Sequence, residues 1–212
     1  MGTAERRERQ RQGLREKILE AARELFAECG YEAVSMRKIA ERIEYSPTTI
    51  YLYFKDKDAL VRELCGTDFR ALGSRFAALA KEPDPVKRLR GIGRAYIRFA
   101  KDHPNHYRMM FMTPSPAVPV NSRGIEKGDP MQDAWAFVTA TVKEAMDRGL
   151  LAPDEAGPEV VAQTFFAGVH GVASLAVAKA NDPWINWAPL EKQADRMIDS
   201  LLRAASPPAR RR

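Results

Sequence analysis

Ser35 to Phe54 reads SMRKIAERIEYSPTTIYLYF. Ser35 stands as an N-cap before Met36, Ile39, Ala40 and Ile43, apolar positions that recur at steps of three and four and so predict a helix of about two turns. Glu44, Tyr45 and Ser46 read as a turn. Pro47 then suits the first position of a second helix, because its missing N–H would be unpaired there in any case and its φ is already helical. By propensity alone the β-branched and aromatic residues of Pro47–Phe54 favour a strand. The helical reading overrides this because Ile50 and Phe54 lie four apart on one face, and a lone strand in an otherwise helical chain has no partner. A capped short helix, a three-residue turn and a second short helix form the layout of a helix-turn-helix.

Helical periodicity continues on both sides. Leu14, Ile18, Ala22, Leu25, Phe26 and Cys29 form one stripe, closed by Gly30 where a C-cap belongs. Asp56 caps a fourth helix to about Ala80, and further helices are predicted over Val86–His103, from Pro104 through Phe111, and over Met131–Leu151, Glu159–Lys179 and Pro189–Ala205. Thr113–Pro130, with four prolines and two glycines, reads as a mobile loop. The expectation is an all-α chain of nine helices. Residues 1–12 are expected as a flexible basic arm, 13–58 as a three-helix domain holding the helix-turn-helix, 59–205 as a larger helical domain, and 206–212 as a flexible basic tail.

The 212 residues, 45% apolar and 29% charged, supply ample material for a core and exclude disorder as the main theme. Cys29 and Cys65 show no CxxC pairing, and MGTAERRERQRQ lacks the apolar run of an export signal, so a reducing cytoplasm is the expected compartment. Val160–Ala178 carries no Asp, Glu, Lys or Arg and is long enough to span a bilayer, but its Gln, Thr, His, Ser and Gly content reads as a buried helix of a soluble bundle, without a membrane role. The net charge of +6 suggests a polyanionic partner. That excess is local: residues 1–58 hold twelve Lys/Arg against eleven Asp/Glu, while Arg6, Arg7, Arg9, Arg11 and Arg15 cluster at one end and Arg210–Arg212 at the other.

With Ile50 and Phe54 turned inward, Thr48 and Tyr51 share the free face of the second short helix, flanked by Pro47 and Thr49. Their hydroxyls and methyls suit base edges and thymine methyl groups in a major groove. Arg37 can reach a guanine edge or a phosphate from beside the groove, Tyr53 a backbone oxygen from the flank, and Lys57 brings an ammonium to a helix N-terminus, which favours a phosphate.

The string LEAARELFAECGYEAVSMRKIAERIEYSPTTIYLYFKDKDAL, Leu19–Leu60, resembles the DNA-binding domain of the TetR family of bacterial transcriptional regulators: helix, Gly-Tyr turn, helix-turn-helix and the Tyr-x-x-Phe-x-x-Lys ending occur in register. The resemblance implies a nine-helix fold and a dimer with a ligand-binding C-terminal part. It supports Arg37, Thr48, Thr49, Tyr51, Tyr53 and Lys57 as DNA contacts, with Ser35 near a phosphate. PNHYRMMF (Pro104–Phe111) and FAGVHGVASL (Phe166–Leu175) look like one recurring C-terminal type of this family.

In the C-terminal part, Tyr96, Phe99 and His103 form a stripe that Met110, Trp135, Thr139, Phe166 and His170 complete as a largely apolar effector wall. Gly168, Val172 and Leu175, with Met197 and Leu201, are expected at a dimer interface built from the last two helices, since two groove-reading helices must sit about 34–36 Å apart to engage one DNA face. His103 and His106 lack a third ligand, so no metal and no cofactor are expected. No GxSxG, phosphate loop or HExxH is present, so no catalysis is expected either. The function expected is a homodimeric, sequence-specific regulator of a palindromic operator, a repressor released by an apolar or amphipathic effector that moves the fourth helix. A sequestering protein with a degenerate helix-turn-helix and an effector-independent DNA binder stand as alternatives.

Overall fold

The computed structural model describes residues 3–113 and 126–208. Among these there are nine α-helices and no strand: α1 Thr3–Cys29, α2 Met36–Arg42, α3 Pro47–Tyr51, α4 Lys57–Ala77, α5 Pro85–Asp102, α6 Pro104–Tyr107, α7 Ala134–Asp147, α8 Gly157–Lys179 and α9 Leu190–Ala204. A 3₁₀ turn, Ala78–Lys81, follows α4, and a π-helical turn, Arg108–Met112, follows α6. The chain divides into two compact units. One holds the described residues up to Asp68 together with Asn105–Thr113, and the other holds Phe69–Pro104 and the described residues from Glu126 onward.

In the first unit, α1 begins at Thr3 rather than Leu14, so residues expected as a flexible arm continue the helix as exposed turns. The reason is local. Glu, Arg and Gln are good helix formers, and they bond at helical spacing: Arg9 Nε donates to the Glu5 carbonyl at 3.4 Å and Gln12 Nε2 to Glu16 Oε1 at 2.9 Å. Gly30, at φ +78°, ends α1 by donating its N–H to the Phe26 carbonyl at 3.0 Å. Ile18, Ala22, Phe26, Ile39, Ala40, Ile50, Phe54 and Leu60 form the apolar core of this unit. A buried polar knot lies beside it. Arg23 Nη2 donates to Asp68 Oδ1 at 3.1 Å, and His106 Nδ1 stands 2.9 Å from the same oxygen.

The second unit is a helical bundle in which α5, α7, α8 and α9 pack together. Asp84 caps α5, accepting from the amides of Val86 and Lys87, and Pro85 occupies its first position. Its core includes Leu89, Ile92, Tyr96 and Phe99 from α5, Phe137 and Val142 from α7, Phe165, Val169 and Val172 from α8, and Ile198 and Leu202 from α9. Two glycines set helix spacing: a Cβ on Gly93 would lie 2.8 Å from Ile198 Cδ1, and one on Gly168 would lie 2.6 Å from Leu201 Cδ1. α7 starts later than Met131 because Asp133 caps it, and Gly149 at φ +66° stops it before Leu151.

The predicted mobile loop Thr113–Pro130 falls largely on residues 114–125, and the end of the predicted basic tail on residues 209–212; both stretches lie outside the described residues. The expectation for α8 needs a correction. The helix is long and apolar enough to cross a membrane, yet it is not a buried helix: Ala162, Phe165, Val169, Val172 and Ala173 face the bundle, whereas Val160, Thr164, Ala167, Leu175 and Ala178 are exposed. Its lack of charge therefore serves a bare face as well as a core.

Candidate functional site

α3 hangs on two anchors. Ser46 caps it, accepting from the Thr49 amide at 3.2 Å, and Pro47 opens it. Ile50 is fully buried and Phe54 nearly so, which leaves the other face to solvent. The helix is shorter than the eight residues expected, ending at Tyr51, but the Phe54 amide still bonds the Ile50 carbonyl at 3.0 Å, so the helical turn carries on to the second anchor. In the turn before it Glu44 adopts φ +62°, a left-handed conformation that a side chain other than Gly or Asn seldom takes. Thr48 and Tyr51 stand exposed as expected, with Tyr51 54% accessible. Thr49 is half-buried and its hydroxyl is 2.9 Å from that of Ser46. The sequence reading missed Tyr45 and Leu52, the latter 74% accessible. Leu52 follows Thr48 by four in the same helical turn and so shares its face, a signal that its apolar character masks, whereas Tyr45 stands in the turn before the Ser46 cap, where helical spacing gives no signal.

Around α3 the charged residues divide into those turned outward and those spent inside. Ser35 caps α2 through the Lys38 amide at 3.2 Å, so its hydroxyl is engaged while the residue stays exposed. Arg37 is exposed and pairs with Glu41 at 2.9 Å one helical turn away; such a surface pair holds little energy and yields to a phosphate at small cost. Tyr53 is half-buried beside α3.

Lys57 departs from expectation. Its ammonium donates to the carbonyls of Tyr31 at 2.9 Å and Val34 at 3.1 Å and sits 3.9 Å from the Tyr31 ring centroid. Burial pushes the Tyr31 phenol up to about 12, helped by its hydrogen bond to Asp58, so the ring under the ammonium is neutral. The Asp56 carboxylate already caps α4 through the Ala59 amide at 2.6 Å. Lys57 thus ties the α1–α2 turn to α4. Lys57→Ala is expected to cost about 1–3 kcal/mol of stability in a urea titration and to leave the salt slope of DNA binding unchanged. A loss of about one from that slope would return Lys57 to the phosphate-contacting set.

In the second unit, five of the expected effector residues do meet. Tyr96 Oη is 2.9 Å from His170 Nδ1, Phe166 stacks on His170 at 5.6 Å and lies edge-on to Tyr96 at 5.3 Å and to Trp135 at 5.9 Å, and Thr139 lies one turn after Trp135. Burial holds the His170 imidazole below its ordinary value, which favours the neutral ring as hydrogen-bond partner of Tyr96. Glu159, missed in the sequence reading, binds this cluster from α8: Trp135 Nε1 donates to Oε1 at 2.7 Å and Thr139 Oγ1 to Oε2 at 3.2 Å. Phe99 is core, and the His103 ring lies tilted against it, centroids 5.4 Å apart, while Arg75 Nη2 stands 3.1 Å from its Nε2. Met110 does not join them. It belongs to the first unit and is buried there, because the π-helical turn that carries it packs on α1.

Grooves open among the described residues of this unit. One of about 630 Å³ lies between α5 and α9 and is rimmed by Arg75, Arg98 and the Arg94–Asp195 and Lys101–Glu191 pairs. Another, about 200 Å³, lies between Leu89, Phe165 and Leu202. The aromatic cluster lines neither of them. The residues expected at a dimer interface also separate. Val172 is core of its own subunit, and Gly168 receives Leu201 of the same chain, because both lie on the side of α8 that faces the bundle. Met197 and Leu201 are half-buried, and only Leu175 stands on the bare face, 46% accessible.

Residues 18–64 match the model of bacterial regulatory proteins of the tetR family, and residues 89–202 that of the tetracyclin repressor-like C-terminal domain. The chain is 36% identical over 76 residues to the HTH-type transcriptional regulator UidR of Escherichia coli (strain K12), an alignment covering 36% of each protein. It is 37% identical over 82 residues, 38% of each, to the HTH-type transcriptional repressor KstR of Mycolicibacterium smegmatis. The alignments therefore span little more than a third of the curated relatives they match. AibR, solved in complex with isovaleryl coenzyme A and operator DNA, shares the fold with TM-score 0.70 and 20% identity over 89% of this chain and 97% of that one.

Proposed function

Because the chain belongs to the TetR family of bacterial regulatory proteins, we propose that it is a cytoplasmic, homodimeric transcription regulator, a repressor that holds a palindromic operator and leaves it when a small apolar or amphipathic effector binds. The observation that carries this reading is the two-sidedness of α3, a five-residue helix with Ile50 sealed beneath it and Thr48, Tyr51 and Leu52 bare above it. A surface of hydroxyls, ring and methyl groups on a short capped helix is suited to base edges and thymine methyls in a major groove. Phosphate contacts fall to Arg37 and Tyr53, with Ser35, Pro47 and Thr49 beside them, and to Arg6, Arg7, Arg9 and Arg11 in the exposed first turns of α1, while Arg15 is held by Glu63.

The bare face of α8 supports the dimer. Val160, Thr164, Ala167, Leu175 and Ala178 are exposed at helical spacing, with half-buried Gly171 and Ser174 between them and no charge among the seven, and a two-fold contact needs a patch that matches itself. The effector is assigned to the aromatic cluster of Tyr96, Trp135, Phe166 and His170, with Thr139 and Glu159 as polar groups beside it. AibR, which shares the fold, was solved with both a small molecule and its operator, in keeping with an effector-responsive reading. For release, the effector must bind the DNA-incompetent state more tightly, and a hundredfold preference supplies about 2.7 kcal/mol.

Repeated selection from random-sequence duplexes tests the proposal. A palindrome with half-sites about one or more helical turns apart is expected to be enriched. Thr48→Ala and Tyr51→Ala are then expected to lower affinity for that site about 10- to 100-fold while affinity for random duplex stays the same. No enrichment, or an equal loss on both DNAs, would remove α3 as the reader.

A further inference from the structure

Trp184 is 93% accessible, and the neighbouring Ile185 is 49% accessible, in the ten-residue connection between α8 and α9. This segment is held in place locally. The Trp184 amide donates to Asp182 Oδ1 at 3.0 Å, Asp182 pairs with Lys179 at 3.4 Å, and Gln193 Nε2 donates to the Ala188 carbonyl at 2.6 Å. An indole left in water five residues past the end of α8 is a large apolar surface without a cover.

The same chain carries a recess that lacks an occupant of this chemistry. The 200 Å³ crevice is walled by Leu89, Val142, Phe165 and Leu202, and its rim is formed by Val160 and Thr164, two members of the bare α8 stripe. Asp154 stands at its edge, with Oδ1 accepting from the Ala156 amide and the other carboxylate oxygen available to an indole N–H, which needs an acceptor when buried.

Knob and recess lie on opposite sides of Gly171. A Cβ there would meet nothing within 4 Å, and with Ala167 and Ser174 on either side it marks where a second helix comes closest. At about 1.5 Å per residue, Val160 lies about 16 Å before Gly171, and the end of α8 at Lys179 lies about 12 Å after it, with Trp184 five residues farther on. When two copies of α8 cross antiparallel at Gly171, each stretch after the crossing faces the equivalent stretch before it. We propose that Trp184 of each subunit seats in the crevice at Val160 of the second copy, so that each crevice is completed only by the other chain. This rests on the homodimer reading above and adds the contact that locks its register.

Sedimentation of the full chain decides it, using the wild type, Trp184→Ala, Val160→Trp and the double variant. Trp184→Ala removes a solvated side chain and leaves the subunit fold untouched. It is expected to raise the dimer Kd roughly 100- to 1,000-fold, since the contact occurs twice per dimer. Val160→Trp blocks the recess from the other side and is expected to do the same, with the double variant no worse than either single one. A wild-type dimer whose Kd is unchanged in Trp184→Ala, or losses that add in the double variant, overturns the docking and leaves the dimer reading intact. A wild-type chain that stays monomeric at tens of micromolar overturns the dimer reading, and the docking with it.

Discussion

Arginine in place of Gly171 is expected to leave the subunit folded, abolish the dimer and lower affinity for the selected palindrome by about 10²- to 10⁴-fold, the range by which tethering two reading helices multiplies the affinity of one. The subunit tolerates the change because an added Cβ meets nothing within 4 Å and the site lies in the interior of α8, where replacing glycine gains about 1 kcal/mol of helix propensity. The dimer does not. Two guanidinium groups would be pressed together at the point of closest approach, stripped of water and without a carboxylate on the stripe to pair with. Affinity for random duplex should fall far less, because each monomer keeps its own exposed arginines. Sedimentation fixes the oligomeric state and a gel-shift titration on both DNAs reads the affinities. A dimeric variant with wild-type affinity would take the α8 stripe out of the interface.

What the sequence disclosed follows the reach of its signals. Ile50 and Phe54 were legible as anchors because four-residue spacing on an otherwise polar segment has one helical solution. Asp56 and Ser35 were legible because a cap acts on amides within its own turn, and Pro47 because its fixed φ and missing N–H suit the first position of a helix. Lys57 was not: spacing places it at a helix start, but two carbonyls in the preceding interhelical turn and the Tyr31 ring claim its ammonium, and those are partners from another part of the chain. Val172 and Gly168 were misread for a related reason. On a helix that is apolar all round, periodicity cannot say which stripe faces its own bundle, and only the packing of Leu201 against Gly168 decides it. Met110 was assigned to the effector wall by its neighbourhood in sequence, whereas the π-helical turn carrying it packs on α1. The charged stretch before Leu14 was read as an arm because it has no apolar stripe, yet helix propensity and i,i+4 bonds suffice to continue α1 through it.

The second large effect is expected at Ile50, and it is informative because Tyr51 stands next to it. Ile50→Asp removes a fully buried side chain, at about 1.5–3 kcal/mol in lost burial, and places a carboxylate among apolar core residues. Breaking burial and charge together exceeds about 5 kcal/mol, which is comparable with the whole stability of a domain. Loss of helicity in the first unit is expected, along with loss of binding to palindromic and random duplex alike, while Ile50→Val, at about 0.5–1.5 kcal/mol, keeps both. Tyr51→Ala changes an exposed side chain, so the melting curve should barely move and only discrimination should fall. Circular dichroism melts of the three variants, read beside their DNA titrations, separate the roles. If Ile50→Asp folded and bound DNA as the wild type does, α3 could not be the helix whose sealed side holds its open side up to the groove.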